Sequence, residues 1–163
     1  MKYLPFEHLI YTTNLSEQNV IRILSENVGA KRKPFTSNNG STKEYEGTIT
    51  ENNFEINRII KNRNSFLPQI TGTIQENTYE TQIEVKMKLH RLVSIFMIFW
   101  CTFVIFFLII TLIKSKGIIS NDLVFPLCML LFAYLLTMLG FKMESKRSKK
   151  DLEKMFEAKV IKE

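Results

Sequence analysis

Two long apolar segments place the strongest limit on what this chain can fold into. Residues 92–113 and 123–141 contain no charged side chain. As helices they would be about 33 Å and about 28 Å long, which matches the hydrocarbon thickness of a bilayer. The 113 residues outside 92–141 are too few to cover two helices that are apolar on every side. We therefore predict a transmembrane helical hairpin, residues 92–141, and not a single soluble globule.

Basic side chains outside the hairpin predict its orientation and its lipid contacts. Lys and Arg accumulate at the cytoplasmic ends of membrane spans, and no signal peptide is visible in the first ten residues. We therefore expect two spans with both termini in the cytoplasm. The residues predicted to contact anionic lipid are Lys86, Lys88, Arg91, Lys146, Arg147, Lys149 and Lys150.

The net charge of +6 is divided along the chain in a way that argues against nucleic acid as a partner. Residues 1–91 carry +2, residues 92–141 carry +1 and residues 142–163 carry +3. The basic excess therefore lies beside the apolar segments and is not spread over an aqueous face. Membrane lipid is the simpler partner for such a distribution.

Residues 1–91 are predicted to form a cytoplasmic α+β domain. A strand at Phe6–Thr13 is followed by an amphipathic helix for which Asn14 is the predicted N-cap. Four segments between residues 45 and 89 then alternate apolar and polar side chains, as strands with one buried face do. The fold predicted for this domain is a β-α-β-β-β-β antiparallel sheet with the helix on its apolar face.

Residues 142–163 are predicted to form a basic amphipathic C-terminal helix. Its apolar face consists of Leu152, Met155, Phe156 and Val160. Such a helix could lie in the membrane interface, pack on the sheet domain or remain a solvated tail, and the pattern leaves these alternatives open.

One resemblance is carried by the sheet segments. They read Tyr45-Glu-Gly, Phe54-Glu-Ile-Asn-Arg-Ile-Ile60 and Arg63-Asn-Ser-Phe-Leu-Pro68, with Gly72 and a last alternating strand before the spans. This arrangement resembles uncharacterised small bacterial proteins with two transmembrane helices and is loosely similar to the YcxB-like group, although the spans here follow the sheet. The resemblance implies the bacterial inner membrane and implies no activity.

The sequence offers little enzyme chemistry. His8 and His90 are 82 residues apart, and both cysteines lie in the apolar segments. We therefore expect no metal site, no cofactor and no catalytic residue. Arg58 stands in the apolar register of its strand, so it needs an anionic or hydrogen-bonded partner. Either Arg58, together with Arg63, meets an anionic ligand or a lipid phosphate, or Arg58 lies near the strand end and extends to water or pairs with a glutamate.

The small residues Ala133, Thr137 and Gly140 recur on one face of the second apolar segment. They predict close helix packing, either within the hairpin or between copies in a homo-oligomer. The predicted function is a non-enzymatic, membrane-anchored cytoplasmic domain that binds a protein or lipid partner or is structural. The alternative is an oligomeric channel or membrane-disrupting effector gated by a small anionic ligand.

Overall fold

The computed structural model describes residues 3–31, 43–60, 64–114 and 121–162, and it is an α+β structure. A seven-stranded mixed sheet is followed by two long apolar helices, after which the chain returns to the sheet. The strands are β1 (Phe6–Thr13), β2 (Val28–Ala30), β3 (Tyr45–Thr50), β4 (Asn53–Arg58), β5 (Pro68–Glu76), β6 (Thr81–Leu89) and β7 (Lys159–Lys162). The helices are α1 (Glu17–Asn27), α2 (Arg91–Lys114) and α3 (Val124–Met155), with a short 3-10 turn at Asn121–Leu123.

The sheet contains the predicted four-strand meander and two short strands that were not predicted. Its order is β2-β3-β4-β5-β6-β1-β7, and all neighbours are antiparallel except β2 and β3. The prediction of a purely antiparallel sheet was therefore wrong at β2. This strand has three residues and follows α1 directly, so it is too short to show an alternating pattern.

One face of the sheet is covered and the other is open. The covered face is apolar: Ile56 of β4 lies beside Ile70 of β5, which lies beside Met87 of β6, and all three are fully buried. Phe54 lies opposite Gly72, and a Cβ at position 72 would collide with its ring. The glycine is therefore required for this aromatic side chain to pack flat on the neighbouring strand.

Helix α1 packs on the covered face through Val20 and Leu24. Its N-cap is Ser16, whose Oγ accepts a hydrogen bond from the Asn19 amide at 3.4 Å, so the predicted cap at Asn14 was wrong by two residues. Lys43 Nζ donates to the carbonyls of Ser25 and Val28 at the other end. A cation at this position stabilises the negative end of the helix dipole.

Helix α3 corrects the prediction of a separate C-terminal helix. It continues without interruption from the second apolar segment to Met155, and its second half packs on the sheet. The residues that it buries there include Phe141, Ser145, Ser148 and Leu152. The predicted helix over 142–163 is therefore wrong in two respects, because residues 142–155 belong to α3 and residues 159–162 form β7.

Strand β7 joins the two ends of the described chain. After Phe156 the backbone turns at Glu157, which has a φ of 48°, and β7 then pairs with β1. The Thr13 hydroxyl donates to the Phe156 carbonyl at 2.8 Å and fixes this turn on the sheet. The three residues from Ala158 to Val160 fit a helical period as well as an alternating one. The sequence pattern alone therefore does not exclude a helix there.

Candidate functional site

The junction between the apolar helices and the sheet domain is built by several contacts to α3. We use this name for the contacts that Tyr3, Glu7, Asn64 and Phe66 make with α3. Asn64 Nδ2 donates to the Gly140 carbonyl at 3.3 Å, and its Oδ1 accepts from the Phe66 amide at 3.0 Å. A Cβ at Gly140 would lie 3.0 Å from the Phe66 side chain. The absence of a side chain at Gly140 thus lets the loop before β5 dock on the helix.

The small residues of α3 therefore serve two different contacts. Ala133 and Thr137 are buried, and the Thr137 hydroxyl lies 3.8 Å from Met97 Sδ on α2 while donating to the Ala133 carbonyl at 2.8 Å. This agrees with close packing inside the hairpin. At Gly140 the atoms nearest to where a side chain would be belong to Phe66, so this position is closely packed against the loop before β5.

Tyr3 and Glu7, near the start of the described chain, also contact α3. Lys142 Nζ lies 2.7 Å from Glu7 Oε1 on β1, and the Tyr134 hydroxyl donates to the Tyr3 carbonyl at 3.3 Å. Tyr134 precedes Phe141 by seven residues, so Tyr3 lies beside the apolar half of α3, about 10 Å along the axis from the covered sheet. The sheet domain thus contacts the apolar helices on more than one side.

Arg58 lies at the end of β4 and pairs with two carboxylates of α3. Its Nη2 is 3.0 Å from Asp151 Oδ2, and its Nη1 is 3.5 Å from Glu144 Oε2. Arg147 reaches the other oxygen of Glu144 at 3.1 Å. The anionic partner that the apolar register of Arg58 requires is therefore present within the chain. Arg63, the second residue of the predicted anion site, lies outside the described residues.

The surface between α3 and the sheet is polar where the rest of the core is apolar. We call it the polar seam: Tyr11, Tyr45, Arg58, Glu144, Ser148 and Asp151. Burial, reinforced by the Asp151 carboxylate, raises the pKa of Tyr45 well above its usual range. Burial, reinforced by Glu153, does the same to the pKa of Tyr11. Both phenols are therefore held in their neutral form.

The basic residues before α2 are placed in different surroundings. Lys86 lies on the open face of the sheet, where its Nζ is 2.7 Å from Glu84 Oε1. The Lys88 Nζ is 5.9 Å from the centre of the Phe6 ring, and Arg91 is the exposed first residue of α2. Contact of these side chains with lipid is a prediction that fits Lys88 and Arg91 best, because they are nearest to the apolar helix.

The basic residues of α3 lie on the half of the helix that has left the apolar region. Lys146, Arg147 and Lys150 are exposed, while Lys149 is half-buried. Lys150 follows Phe141 by nine residues and is therefore about 14 Å farther along the axis, whereas Lys146 is about 8 Å farther. Of this group, Lys146 is the best placed to meet a lipid headgroup.

The open face of the sheet contains a shallow polar groove of about 380 Å³. Its side chains come from four strands, and they include Thr48, Glu55, Thr71, Glu84 and Lys86. His8 Nε2 lies 2.7 Å from Glu84 Oε1 at its border, and interaction with Lys86 and His8 lowers the pKa of Glu84. Hydroxyl, amide and charged groups at this density can form hydrogen bonds with a polar partner.

A second groove, about 250 Å³ in volume, lies between α2 and α3. We call it the apolar groove. All of its lining side chains are apolar: Phe66, Phe96, Met97, Trp100, Met129, Phe132, Ala133 and Leu136. Phe66 closes it at the end nearest the sheet, and the rings of Phe96 and Trp100 are stacked along one wall.

Within the described residues, no group of three or more His, Cys, Asp or Glu side chains is arranged to hold a metal ion. Comparisons of the chain with protein-family models, with curated proteins and with solved structures find no match. The candidate functional features of the described residues are the two grooves, the polar seam and the junction.

Proposed function

We propose that the protein is an integral protein of the bacterial cytoplasmic membrane whose sheet domain is a non-enzymatic binding module on the cytoplasmic surface. The observation that carries the proposal is the exposure of α2 and α3. Within their most apolar stretches, only 6% of α2 and 17% of α3 is buried. A core helix of a soluble protein would be mostly covered, whereas Phe99, Phe103 and Phe132 each expose more than half of their surface.

The continuity of α3 supports a module held in a fixed position. The same helix contributes an apolar half and a half that buries Leu152 in the core of the sheet domain. The tether on the other side is equally short, since β6 ends at Leu89 and α2 begins at Arg91. With two such short connections, the domain lies against the lipid headgroups and has little freedom to tilt.

The basic residues support a cytoplasmic position for the domain. Lys88, Arg91 and Lys146 lie at the domain ends of the two helices, where positive charge is typical of the cytoplasmic side. The polar groove on the open face, which neither α1 nor α3 covers, is then the surface offered to a partner in the cytoplasm. A protein partner that adds polar contacts there fits the threonine and glutamate side chains of this face.

Two measurements on the full chain test the proposal. The first is extraction: we expect the protein to stay in the membrane after washing at high pH and to be released only by detergent. The second is site-specific photocrosslinking in cells, with the reactive group at Thr71 in the polar groove and, as the control, at Arg22 on the outer surface of α1.

We expect a discrete adduct from Thr71 and none from Arg22, and we expect reporter fusions to place both termini in the cytoplasm. Release by high pH alone would contradict membrane integration. Equal adducts from both positions would contradict a dedicated recognition face.

A further inference from the structure

The apolar groove is an open cleft that remains between α2 and α3 where the two helices pack together. Its walls are Phe96 and Trp100 on α2 and Met129, Phe132 and Leu136 on α3. Met129 and Leu136 are seven residues apart, so the groove runs for about 10 Å along the helices. Phe66, which belongs to the sheet domain, closes one end, while the outer side remains open.

The size and lining of this groove select its occupant. At about 250 Å³ it is below the usual range of ligand pockets, and it cannot admit a helix of about 10 Å diameter. Its side chains offer aromatic rings, two flexible methionines and no hydrogen-bonding group apart from the Trp100 indole. A single unbranched hydrocarbon chain satisfies these conditions, whereas a polar ligand or a bulky multi-ring lipid does not.

The charge above the groove identifies the class of lipid. Phe132, Leu139, Met143 and Lys146 follow one another at spacings of seven, four and three residues, which places them on one side of α3. The first three expose 67%, 61% and 57% of their surface, and Lys146 is exposed beyond them. A chain that leaves the groove along this stripe would bring its phosphate to the Lys146 ammonium.

We propose that the apolar groove binds one acyl chain of an anionic phospholipid, with Phe66 closing the groove and Lys146 pairing with the phosphate. This inference rests on the proposed insertion of α2 and α3 in a bilayer. It adds a specific lipid site at the place where the sheet domain touches the helices, so that the bound chain contacts both parts of the molecule through Phe66.

The experiment uses the full chain in phosphatidylcholine nanodiscs that contain a small share of phosphatidylglycerol with a diazirine at the end of one acyl chain. After illumination, labelled positions are mapped by peptide mass spectrometry. We expect labelling of Phe96 and Phe132 to be about ten times that of Phe99 and Phe103, which are exposed on α2 outside the groove. This ratio corresponds to a groove that binds the lipid about ten times more strongly than the rest of the helix surface does.

Two matched variants locate the effect. Leu136→Trp fills the groove, whereas Leu135→Trp adds the same ring at a neighbouring position that does not line it; the two leucines are 47% and 45% exposed. We expect Leu136→Trp to lower groove labelling about tenfold, because overpacking excludes the chain, and Leu135→Trp to leave it unchanged. Lys146→Gln should remove the preference for phosphatidylglycerol over a phosphatidylcholine probe that carries the same diazirine.

The outcomes separate this inference from the proposed function. Equal labelling of Phe96, Phe99, Phe103 and Phe132 would overturn the groove as a lipid site and leave membrane insertion intact. No labelling anywhere on α2 or α3 would overturn insertion and, with it, the lipid site. A dimer in sedimentation analysis that Leu136→Trp converts to a monomer would place a second copy in the groove and overturn the lipid as its occupant.

Discussion

The guanidinium of Arg58 on β4 lies 3.0 Å from the carboxylate of Asp151 on α3, a residue that follows it by more than 90 positions. The pair joins the end of β4 to the helix that continues into the apolar region. Glu144, whose side chain is 9% exposed, completes the contact on the same helix. The polar seam therefore links β4 directly to the helix whose other half is apolar.

Removing the arginine should destabilise the sheet domain. In Arg58→Met, Glu144 and Asp151 lose a shared partner in a place with little water, and we expect a loss of about 3 kcal/mol in the free energy of unfolding. Thermal unfolding of the full chain in a mild detergent measures this loss. The control is Lys31→Met, which breaks an exposed pair with Glu55 and should cost less than about 1 kcal/mol.

A triple variant separates the charge effect from lost packing. Adding Glu144→Gln and Asp151→Asn to Arg58→Met removes the two charges that had lost Arg58 as a partner, so most of the lost stability should return. If the triple variant is no more stable than Arg58→Met alone, the seam does not act through its charges.

The buried tyrosines should make the fold sensitive to high pH. The pKa of Tyr11 and that of Tyr45 are both raised above the ordinary value of 10.0, so the folded state disfavours the tyrosinate forms. Their contribution to stability is complete below pH 10 and is lost as the pH rises further. Tyrosinate absorbance during an alkaline titration should therefore contain a late step, in which Tyr11 and Tyr45 ionise together with unfolding.

Single substitutions identify which tyrosines ionise in the late step of the alkaline titration. Tyr45→Phe and Tyr11→Phe should each remove one tyrosine from it, while Tyr79→Phe, at a side chain that is 95% exposed, should leave it unchanged. A gradual ionisation of all five tyrosines without an unfolding step would show that neither phenol is protected by the fold.

Two of the glycines in the sheet, Gly72 and Gly29, offer a matched test of close packing. In Gly72→Ala the new methyl group must displace the Phe54 ring, which itself packs against Phe156, and we expect a loss of about 1–3 kcal/mol. In Gly29→Ala the nearest atoms are 3.6 Å away, so stability should be unchanged or slightly higher. Thermal unfolding of the two variants side by side measures the difference, and equal losses would contradict the packing of Phe54 on Gly72.

The single tryptophan reports on membrane insertion. Trp100 follows Arg91 by nine residues, which places it about 14 Å along α2. In the proposed bilayer orientation this position lies deep in the hydrocarbon region. Its fluorescence in vesicles should be quenched more strongly by lipids brominated near the middle of the acyl chain than by lipids brominated near the headgroup. Iodide in the aqueous phase should have little effect, and strong quenching by iodide would contradict a membrane-embedded α2.

The sequence predicted the parts of the fold that have a long, regular pattern. The meander from Tyr45 to Leu89 follows from the alternation of apolar and polar residues along its strands. The two apolar helices follow from the length of their uncharged segments. The anomaly at Arg58 predicted that its guanidinium needs a partner, and two carboxylates of α3 lie beside it. The identity of that partner was not predictable, because Glu144 and Asp151 lie on a segment whose pattern fits several positions equally well.

Short elements and docking contacts were the parts that the sequence could not supply. Strand β7 contains four residues, and its pairing with β1 depends on how α3 returns to the sheet. The role of Gly140 depends on Phe66, which is distant in sequence and gave no periodic signal for contact with a helix. Local sequence patterns indicate which residues are buried. Only the tertiary structure shows which residues they pack against.

The return of the chain to β1 has a consequence for biosynthesis. Strands β1 to β6 leave the ribosome before α3 exists, so α1 is the one described helix that can cover their apolar face while α2 and α3 are being made. Leu152 and Phe156, which complete that face, follow in the chain only after α2 and most of α3. The nascent sheet is therefore an incomplete folding unit, and its core closes only once the second half of α3 has been synthesised.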